Sequence, residues 1–353
     1  MAPPDKARLQ ELLQMAVELE FSTIPPYLTA AFSLRPDTNR TCFEIIHSVY
    51  MEEMLHMVLA ANVLNATGGT VKLDREHVPK YPLKLKFEGQ NFKYREFEIG
   101  LERFCPHSIQ TFMDIELPDH WQELFRVGAV PKLEVPGYTI GEFYGLIDKT
   151  LIELCESTSE QEVFNGDPVR QIGTNFYWSG GGSAFEVDGL DAARKAIRVI
   201  VEQGEGASSK DIFDGDGSYF ARPSEVAHFF RFRQIHFGRK YRSGDAPEAP
   251  PTGPEFPVEW GAVYPIKTNC RSSDLVGTPE LAVLNTQFNQ HFSLMLQRMQ
   301  EAFTGNPQAL YSAIMNDMHS MARIAGKMVQ IPIEGDELGQ TGAPTFELNP
   351  LTR

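Results

Sequence analysis

The stretch Ser48–Gly69, SVYMEEMLHMVLAANVLNATGG, has the apolar periodicity of an amphipathic α-helix. Steps of three or four residues place one set of side chains on the face that turns into the core: Ile46, Val49, Glu53, His56, Ala60 and Leu64. Glu52 falls on another face and is expected to point away. A buried carboxylate needs a partner, and Glu-x-x-His lets one helix offer two ligands to one metal ion. We therefore predict metal ligands at Glu53 and His56, with a core histidine paired to its neighbouring glutamate as the alternative.

A second inward carboxylate is predicted near the start of the chain. Asp5 can cap a helix whose buried stripe contains Glu20 and Tyr27, whereas Glu18 lies on a polar face. Pro25 and Pro26 follow Glu20 by one turn and remove two backbone donors. A kink or local widening beside the site is expected there, with a plain structural bend as the alternative.

Two later segments supply further candidate ligands. The helix predicted from IGEFYGLIDKTLIELCE contains Glu142 and Asp148, and periodicity alone does not choose between them. Pro223 and Ser224 can open another helix, on which Glu225 and His228 form a second Glu-x-x-His facing inward with Phe232 and Ile235.

The ordered set matches the dinuclear carboxylate arrangement of four-helix bundles. The predicted ligands are Glu20, Glu53, His56, Glu142, Glu225 and His228. Carboxylates and imidazoles together suit two iron ions, with manganese as the other candidate.

The remaining chain predicts insertions around this bundle. We expect a four-helix bundle with a dinuclear metal site over residues 1–242, with an irregular excursion at 70–136 packed over it. Residues 243–278 read as a proline-rich arm, and 279–353 as a helical hairpin, Pro279–Phe303 with Pro307–Met328, plus a tail. His107, Glu116 and His120 in the excursion are expected at the surface or in supporting roles. The stretch Asn165–Gly182 reads as a loop, and its SGGGS lacks the preceding strand of a phosphate-binding loop.

Composition narrows the class of protein. The 353 residues are 42% hydrophobic, which is enough for a large core, and the net charge of −15 argues against nucleic acid or an anionic membrane as partner. No apolar run is long enough for a signal peptide or a membrane span, and the four cysteines are widely separated. We therefore expect a cytoplasmic protein without disulfides. The sequence leaves the oligomeric state open, a homo-oligomer included.

Several motifs resemble a known family, the ferritin-like domain related to the C-terminal part of iminophenyl-pyruvate dimer synthases of the violacein and rebeccamycin pathways. The motifs are ELEFSTIPPYL (18–28), EEMLH (52–56) with the following GG, GEFY (141–144), VEQGEG (201–206), AHFFRF (227–232) and GAPTFE (342–347). The resemblance covers nearly the whole chain and implies an all-α ferritin-like core.

By position, the resemblance supports Glu20, Glu53, His56, Glu142 and His228 as ligands. Because VEQGEG is as typical of the family as the region of His228, the last carboxylate could instead be Glu202 or Glu205. Glu202 shares a helix face with Lys195 and Arg198, which favours solvent, so Glu225 is preferred and Glu202 is the reserve. Dimer synthases carry an additional haem-associated domain for which 353 residues leave no room, so coupling of indole-derived imines is not expected here.

The predicted function is that of an oxidoreductase in which two bound irons activate O2 or peroxide against a small organic substrate, in specialised metabolism. The alternative is a metal-binding or ferroxidase-type protein without an organic substrate. Tyr27 is a candidate pocket residue. An aromatic group either lines the same pocket or packs the core: Phe143, Tyr144, Phe229 and Phe232.

Overall fold

The computed structural model describes residues 5–84, 98–118, 140–177, 181–208, 210–220 and 222–349. Within these ranges the predicted all-α class is confirmed, since the described strands form one short antiparallel pair, Leu83–Lys84 (β1) with Glu98–Ile99 (β2). His120 and parts of the predicted excursion lie outside the described residues.

The longer helices provide the framework of the fold. They are α1 (Lys6–Ser33), α2 (Arg40–Ala66), α3 (Pro106–Ile115), α4 (Ile140–Ser157), α6 (Leu190–Glu205), α8 (His228–Phe237), α10 (Pro279–Phe303) and α12 (His319–Met328). Single-turn helices lie between them: α5 (Glu160–Val163), α7 (Asp216–Tyr219), α9 (Ser272–Leu275) and α11 (Ala309–Ser312). Short 3-10 turns occupy Pro168–Arg170 and Thr174–Phe176, and a π-helical turn occupies Ala313–Met318.

Helix α1 confirms the predicted cap and the predicted burial of Glu20. The Asp5 carboxylate accepts a hydrogen bond from the Ala7 amide at 3.1 Å, and Glu20 is 2% exposed. The helix continues through Pro25 and Pro26 to its end as one element. Pro26 cannot donate to the Ser22 carbonyl, which instead accepts the Tyr81 hydroxyl at 2.7 Å. This tertiary hydrogen bond helps the helix to tolerate the proline pair.

Helix α2 carries the predicted inward stripe, including the buried Glu53 and His56. It ends at Ala66, where Gly68 adopts a φ of +77° and the Gly69 amide donates to the Leu64 carbonyl at 3.0 Å. The expectation that Glu52 points away from the core is wrong, because its side chain is buried as well. The physical reason is that α2 packs against α1, α6 and α8 and so buries several of its faces.

Four helices close into a bundle. Helix α1 packs on α2, α2 on α6, α6 on α4, and α4 on α1. Helix α8 packs against α2 and α6, and α3 packs against α8. The first residue of α8 and the C-terminal end of α3 therefore approach the bundle interior from outside the ring of four.

The predicted C-terminal hairpin is confirmed. Helix α10 packs against α12 and the π-helical turn, and α12 also contacts α1. The tail returns along α10, where the Asn289 side-chain amide donates to Thr345 Oγ1 at 2.8 Å. The boundaries predicted at residues 242 and 278 stay predictions.

The expected absence of disulfides agrees with the structure, in which all four cysteines are described and unpaired with one another. Among the described helices, none combines the length and the apolar character that crossing a bilayer requires.

Candidate metal centre

Three buried side chains form the centre of the site. Glu53, His56 and His228 each offer a ligand atom, and these atoms lie within 4.8 Å of one another. Glu53 Oε1 is 2.9 Å from His228 Nδ1 and 3.7 Å from His56 Nδ1. The two imidazole rings lie 5.3 Å apart between centroids, with an interplanar angle of 24°. One carboxylate thus stands between two imidazole nitrogens.

Each imidazole also faces a carboxylate of its own. Glu20 Oε2 lies 3.4 Å from His56 Nδ1, and Glu116 Oε2 lies 3.5 Å from His228 Nδ1. Glu20 comes from the middle of α1, and Glu116 is the C-cap residue that directly follows α3. The result is a nearly symmetric group of three glutamates around two histidines.

The far nitrogens of both rings bind acceptors outside this group. His56 Nε2 lies 2.8 Å from Gln203 Oε1, and His228 Nε2 lies 2.9 Å from Glu52 Oε2. The Gln203 amide nitrogen donates to Gly181 O and Asp216 Oδ1, so its oxygen is the atom left to face His56. Because that oxygen can only accept, a neutral His56 carries its proton on Nε2. Its Nδ1 lone pair then faces the carboxylates, which is the orientation that a metal-binding histidine needs.

Hydroxyl groups hold the outer oxygens of the three glutamates. Tyr144 donates to Glu20 Oε1 at 2.5 Å, Tyr27 donates to Glu116 Oε1 at 2.6 Å, and Thr23 donates to Glu53 Oε2 at 2.8 Å. Burial raises the pKa of both tyrosines well above the ordinary value, and the charges of Glu116 and Glu20 raise the pKa of Tyr27 and of Tyr144 respectively. Both phenols therefore remain protonated donors.

The electrostatics of the inner group favour a bound cation. Burial, reinforced by the charge of Glu116, raises the pKa of Glu53 to about 7. The pKa of His228 lies well above its usual value although burial opposes this, because Glu116, Glu52 and Glu53 surround it. Without a cation, the site holds protons to balance its carboxylates.

One nitrogen of the site also has an unused lone pair or proton. His228 Nδ1 is buried and makes no hydrogen bond to any residue that the structure describes, although Glu53 Oε1 is close. A buried nitrogen without an aligned hydrogen bond is costly, and a metal ion would satisfy it. The donor set of carboxylates and imidazoles therefore fits a metal ion of the iron or manganese type.

A second layer of charge surrounds Glu52. Burial alone would raise its pKa, but Arg231 and His228 lower the pKa of Glu52 to about 2. Arg231 is 4% exposed, and its NH2 lies 3.1 Å from Glu52 Oε2. Gly181 passes so close that a Cβ there would lie 2.5 Å from Glu52 Cγ. The absence of a side chain at Gly181 thus lets the backbone cover this part of the site.

Comparison with known proteins identifies the fold family. A family model described as ferritin-like matches residues 13–237. The chain belongs to the ferritin-like family. The resemblance seen in the sequence motifs is thereby confirmed.

One related sequence and one solved structure are similar to this ferritin-like chain over most of its length. It is 27% identical over 328 residues to dichlorochromopyrrolate synthase from Lentzea aerocolonigenes, a match that covers 85% of this chain and 29% of the relative. The chain therefore spans less than a third of that enzyme's length. The crystal structure of a ferritin-like protein from Caulobacter vibrioides at 1.95 Å resolution matches with a TM-score of 0.57 and 21% identity. That match covers 96% of this chain and 98% of the other, and it supports the fold.

Glu142 of this ferritin-like protein does not join the cluster. Its side chain is exposed near the start of α4, whereas the buried face of that helix contains Phe143, Tyr144 and Ile147. The inward residue of this turn is Tyr144, which contacts Glu20 rather than supplying a carboxylate. The α4 position therefore contributes a hydrogen-bond donor to the site.

Glu225 also lies apart from the cluster, and the expectation that it shares a helix with His228 is wrong. Helix α8 begins at His228, because the preceding residues pair with the chain near Phe213 in an extended conformation. The Glu225 amide donates to Asp214 Oδ1 at 2.9 Å. Its side chain is 47% exposed and lies 3.4 Å from Arg231, so a cation of the protein already accompanies it.

The reserve carboxylates serve other contacts. Glu202 is half-buried and accepts the Tyr219 hydroxyl at 2.8 Å. Glu205 is buried, but its Oε1 accepts the Gly141 amide at 2.9 Å at the start of α4. VEQGEG reaches the site through Gln203, which holds His56.

Glu116 is the residue that the sequence interpretation undervalued. It was expected at the surface or in a supporting role, but it is 5% exposed and faces His228. A signal was present, because Ile109, Phe112 and Glu116 follow one another at helical spacing and all are buried. His107, by contrast, is exposed and lies 2.7 Å from Glu102, in line with the surface role expected for it.

Proposed function

We propose that this ferritin-like protein is a non-haem dinuclear-iron oxidoreductase that uses O2 or peroxide on a small organic substrate. The observation that carries the proposal is the convergence of two imidazole Nδ1 atoms on three buried glutamates, while both Nε2 atoms are held by outer acceptors. This set contains both imidazoles and three of the four carboxylates of the dinuclear sites found in helical bundles.

The proposed ligands divide into two half-sites that share one residue. Glu20 and His56 would hold one ion, Glu116 and His228 would hold the other, and Glu53 stands between the imidazoles and would serve both. Two iron ions bound there would supply the electrons with which O2 or peroxide is reduced. Manganese fits the same donors and is the competing metal.

The chain's own contribution is to fix ligand orientation and proton position. Tyr144 holds one oxygen of Glu20, and Tyr27 holds one oxygen of Glu116. The other oxygen of each glutamate is thereby directed at a histidine. Gln203 fixes the proton of His56 on the nitrogen that points away from the site. These contacts keep the donor atoms in place before metal arrives, which lowers the cost of binding.

The organic substrate in this proposal rests on similarity. The relative named above is dichlorochromopyrrolate synthase, which acts on small molecules. By similarity, we propose that this chain also acts on a small organic molecule, in specialised metabolism. Because this chain spans only part of that enzyme, the relative's product is not carried over.

Reconstitution tests the proposal. The protein is loaded anaerobically with ferrous iron, desalted, and analysed for metal, and we expect about two ions per chain. Oxygen uptake is then recorded with and without candidate aromatic and amino-acid-derived substrates. Repeated turnover that depends on an organic substrate supports the oxidoreductase. Oxygen uptake that stops once the added ferrous iron is oxidised would instead identify a ferroxidase-type protein. A metal content near zero would contradict both functions.

A further inference from the structure

A separate cavity lies between the α1–α2 pair and the C-terminal hairpin. Its volume is about 280 Å³. Phe21 and Met57 line it, whereas their chain neighbours Glu20 and His56 belong to the metal centre. Adjacent residues on a helix point about 100° apart, so α1 and α2 present one face to the metal centre and another to this cavity.

The lining is apolar and rich in sulfur. None of the described residues that line the cavity is Asp, Glu, Lys or Arg, and its polar members are two histidines and two tyrosines. Phe21 and Phe292 stack across the buried end, with ring centroids 6.2 Å apart. Seven methionines complete the walls: Met51, Met54, Met57, Met295, Met299, Met318 and Met321.

The C-terminal GAPTFE motif, which the metal centre does not use, builds part of this wall. Phe346 lines the cavity and packs edge-on against Phe292, with centroids 5.5 Å apart. Its backbone has a φ of +50°, a region that bulky residues rarely adopt. Hydrogen bonds on both sides hold it there, from Thr345 to Asn285 at 2.9 Å and from the Glu347 amide to Asn289 at 3.1 Å. The tail thus keeps an aromatic ring in the wall at the expense of local strain.

We infer that this cavity binds an uncharged aromatic small molecule. An engineered apolar cavity of roughly 150 Å³ stays dry and accepts benzene, so the larger space here has room for more than one ring. Methionine sulfur and aromatic edges attract aromatic rings more than they attract aliphatic chains. Because no Asp, Glu, Lys or Arg is among the described lining residues, a charged ligand would find no permanently charged counter-ion there. The inference stands independently of the metal centre.

The probe for this site is 1-N-phenylnaphthylamine, a neutral aromatic dye whose fluorescence rises in apolar surroundings. We expect saturable binding to the full-length protein. Ala322 is an exposed residue of the lining, so the indole ring of Ala322→Trp should take up part of the cavity and weaken binding at least about tenfold. Met299→Glu places a carboxylate in the wall and should weaken binding similarly, whereas Met299→Leu keeps the wall apolar.

The controls separate the cavity from general stickiness and from misfolding. Val283→Trp adds the same ring at an exposed position of α10 outside the cavity and should leave affinity within about twofold. Circular dichroism and iron content of each variant should match the parent protein. Naphthalene should displace the dye.

Three outcomes would overturn the inference: no saturable dye binding, binding that survives both Ala322→Trp and Met299→Glu, or displacement by laurate but not by naphthalene. A failed iron reconstitution with intact dye binding would count against the proposed function alone.

Discussion

Tyr144 donates its hydroxyl hydrogen to Glu20 Oε1 across 2.5 Å, and the two residues lie on facing helices of the bundle. Tyr27 makes the equivalent contact with Glu116 at 2.6 Å. The two halves of the site therefore share one design, in which a buried phenol holds a glutamate whose second oxygen faces a histidine. Support of this kind affects metal affinity without supplying a ligand atom.

Removal of the Tyr144 hydroxyl should weaken one of the two metal positions. We expect Tyr144→Phe to lower its affinity about 10-fold to 100-fold, because Glu20 loses the contact that orients it. Anaerobic titration of ferrous iron against a competing chelator measures this. Tyr81→Phe is the matched control, since it also removes a buried hydroxyl hydrogen bond but one made to a backbone carbonyl. Equal losses in both variants would mean that the Tyr144 contact matters only for packing.

The structure assigns the third carboxylate of the site to Glu116, whereas the sequence predicted Glu142. Variants of these two residues distinguish the two assignments. Glu116→Gln should empty the metal position nearest His228 and leave about one ion per chain, because Glu116 Oε2 faces that ring. Glu142→Gln should retain both ions, because its side chain is exposed. Metal analysis of the two reconstituted variants decides the matter. Loss of an ion in Glu142→Gln with full content in Glu116→Gln would restore the original assignment.

Periodicity predicted those parts of the site that lie in the interior of long helices. Glu20, Glu53 and His56 each sit on a buried stripe with several turns on both sides, so their helix phase was well determined. Glu116 and His228 lie at helix ends, where phase depends on where the helix stops or starts. Glu225 was misplaced for that reason.

Burial of Glu52 could not be predicted from the pattern of one helix. A single apolar stripe implies one packed face, but α2 is enclosed by α1, α6 and α8, and the last of these is far away in sequence. Arg231, which neutralises Glu52, comes from α8 as well. The long-range pairing of charges depends on topology, which periodicity does not report.

The buried ion pair between Arg231 and Glu52 should be essential for stability. Arg231→Met leaves Glu52 with only part of its compensation, and removing one partner of such a pair costs about 3 kcal/mol. Urea unfolding of the metal-free protein measures the free energy of unfolding. Arg40→Met, which breaks an exposed pair with Glu44, is the control and should change stability by about 0.5 kcal/mol or less. A loss in Arg231→Met no greater than in the control would show that His228 alone compensates Glu52.

Metal binding should release protons, and its affinity should rise with pH. In the metal-free protein the pKa of His228 lies well above its ordinary value because Glu116, Glu52 and Glu53 outweigh burial, and the pKa of Glu53 is about 7 after burial and Glu116 raise it. A metal ion needs the lone pair of His228 Nδ1 and the ionised form of Glu53, so bound protons compete with it.

The raised pKa of His228 also determines how the stability of the metal-free protein changes with pH. Because the folded-state pKa of His228 is raised, its proton stabilises the metal-free fold fully below the unfolded pKa, and that contribution disappears as pH rises through the folded value. Metal therefore replaces a stabilising proton at low pH and meets less competition at high pH.

Calorimetric titration with Mn²⁺ in two buffers of different ionisation enthalpy, at about pH 6 and about pH 8, measures the protons released. We expect greater release and weaker binding at the lower pH. His228→Ala should reduce the release, while His77→Ala, which removes a surface histidine bonded to Asp74, should leave it unchanged. Binding without proton release at the lower pH would contradict the placement of His228 and Glu53 at the metal.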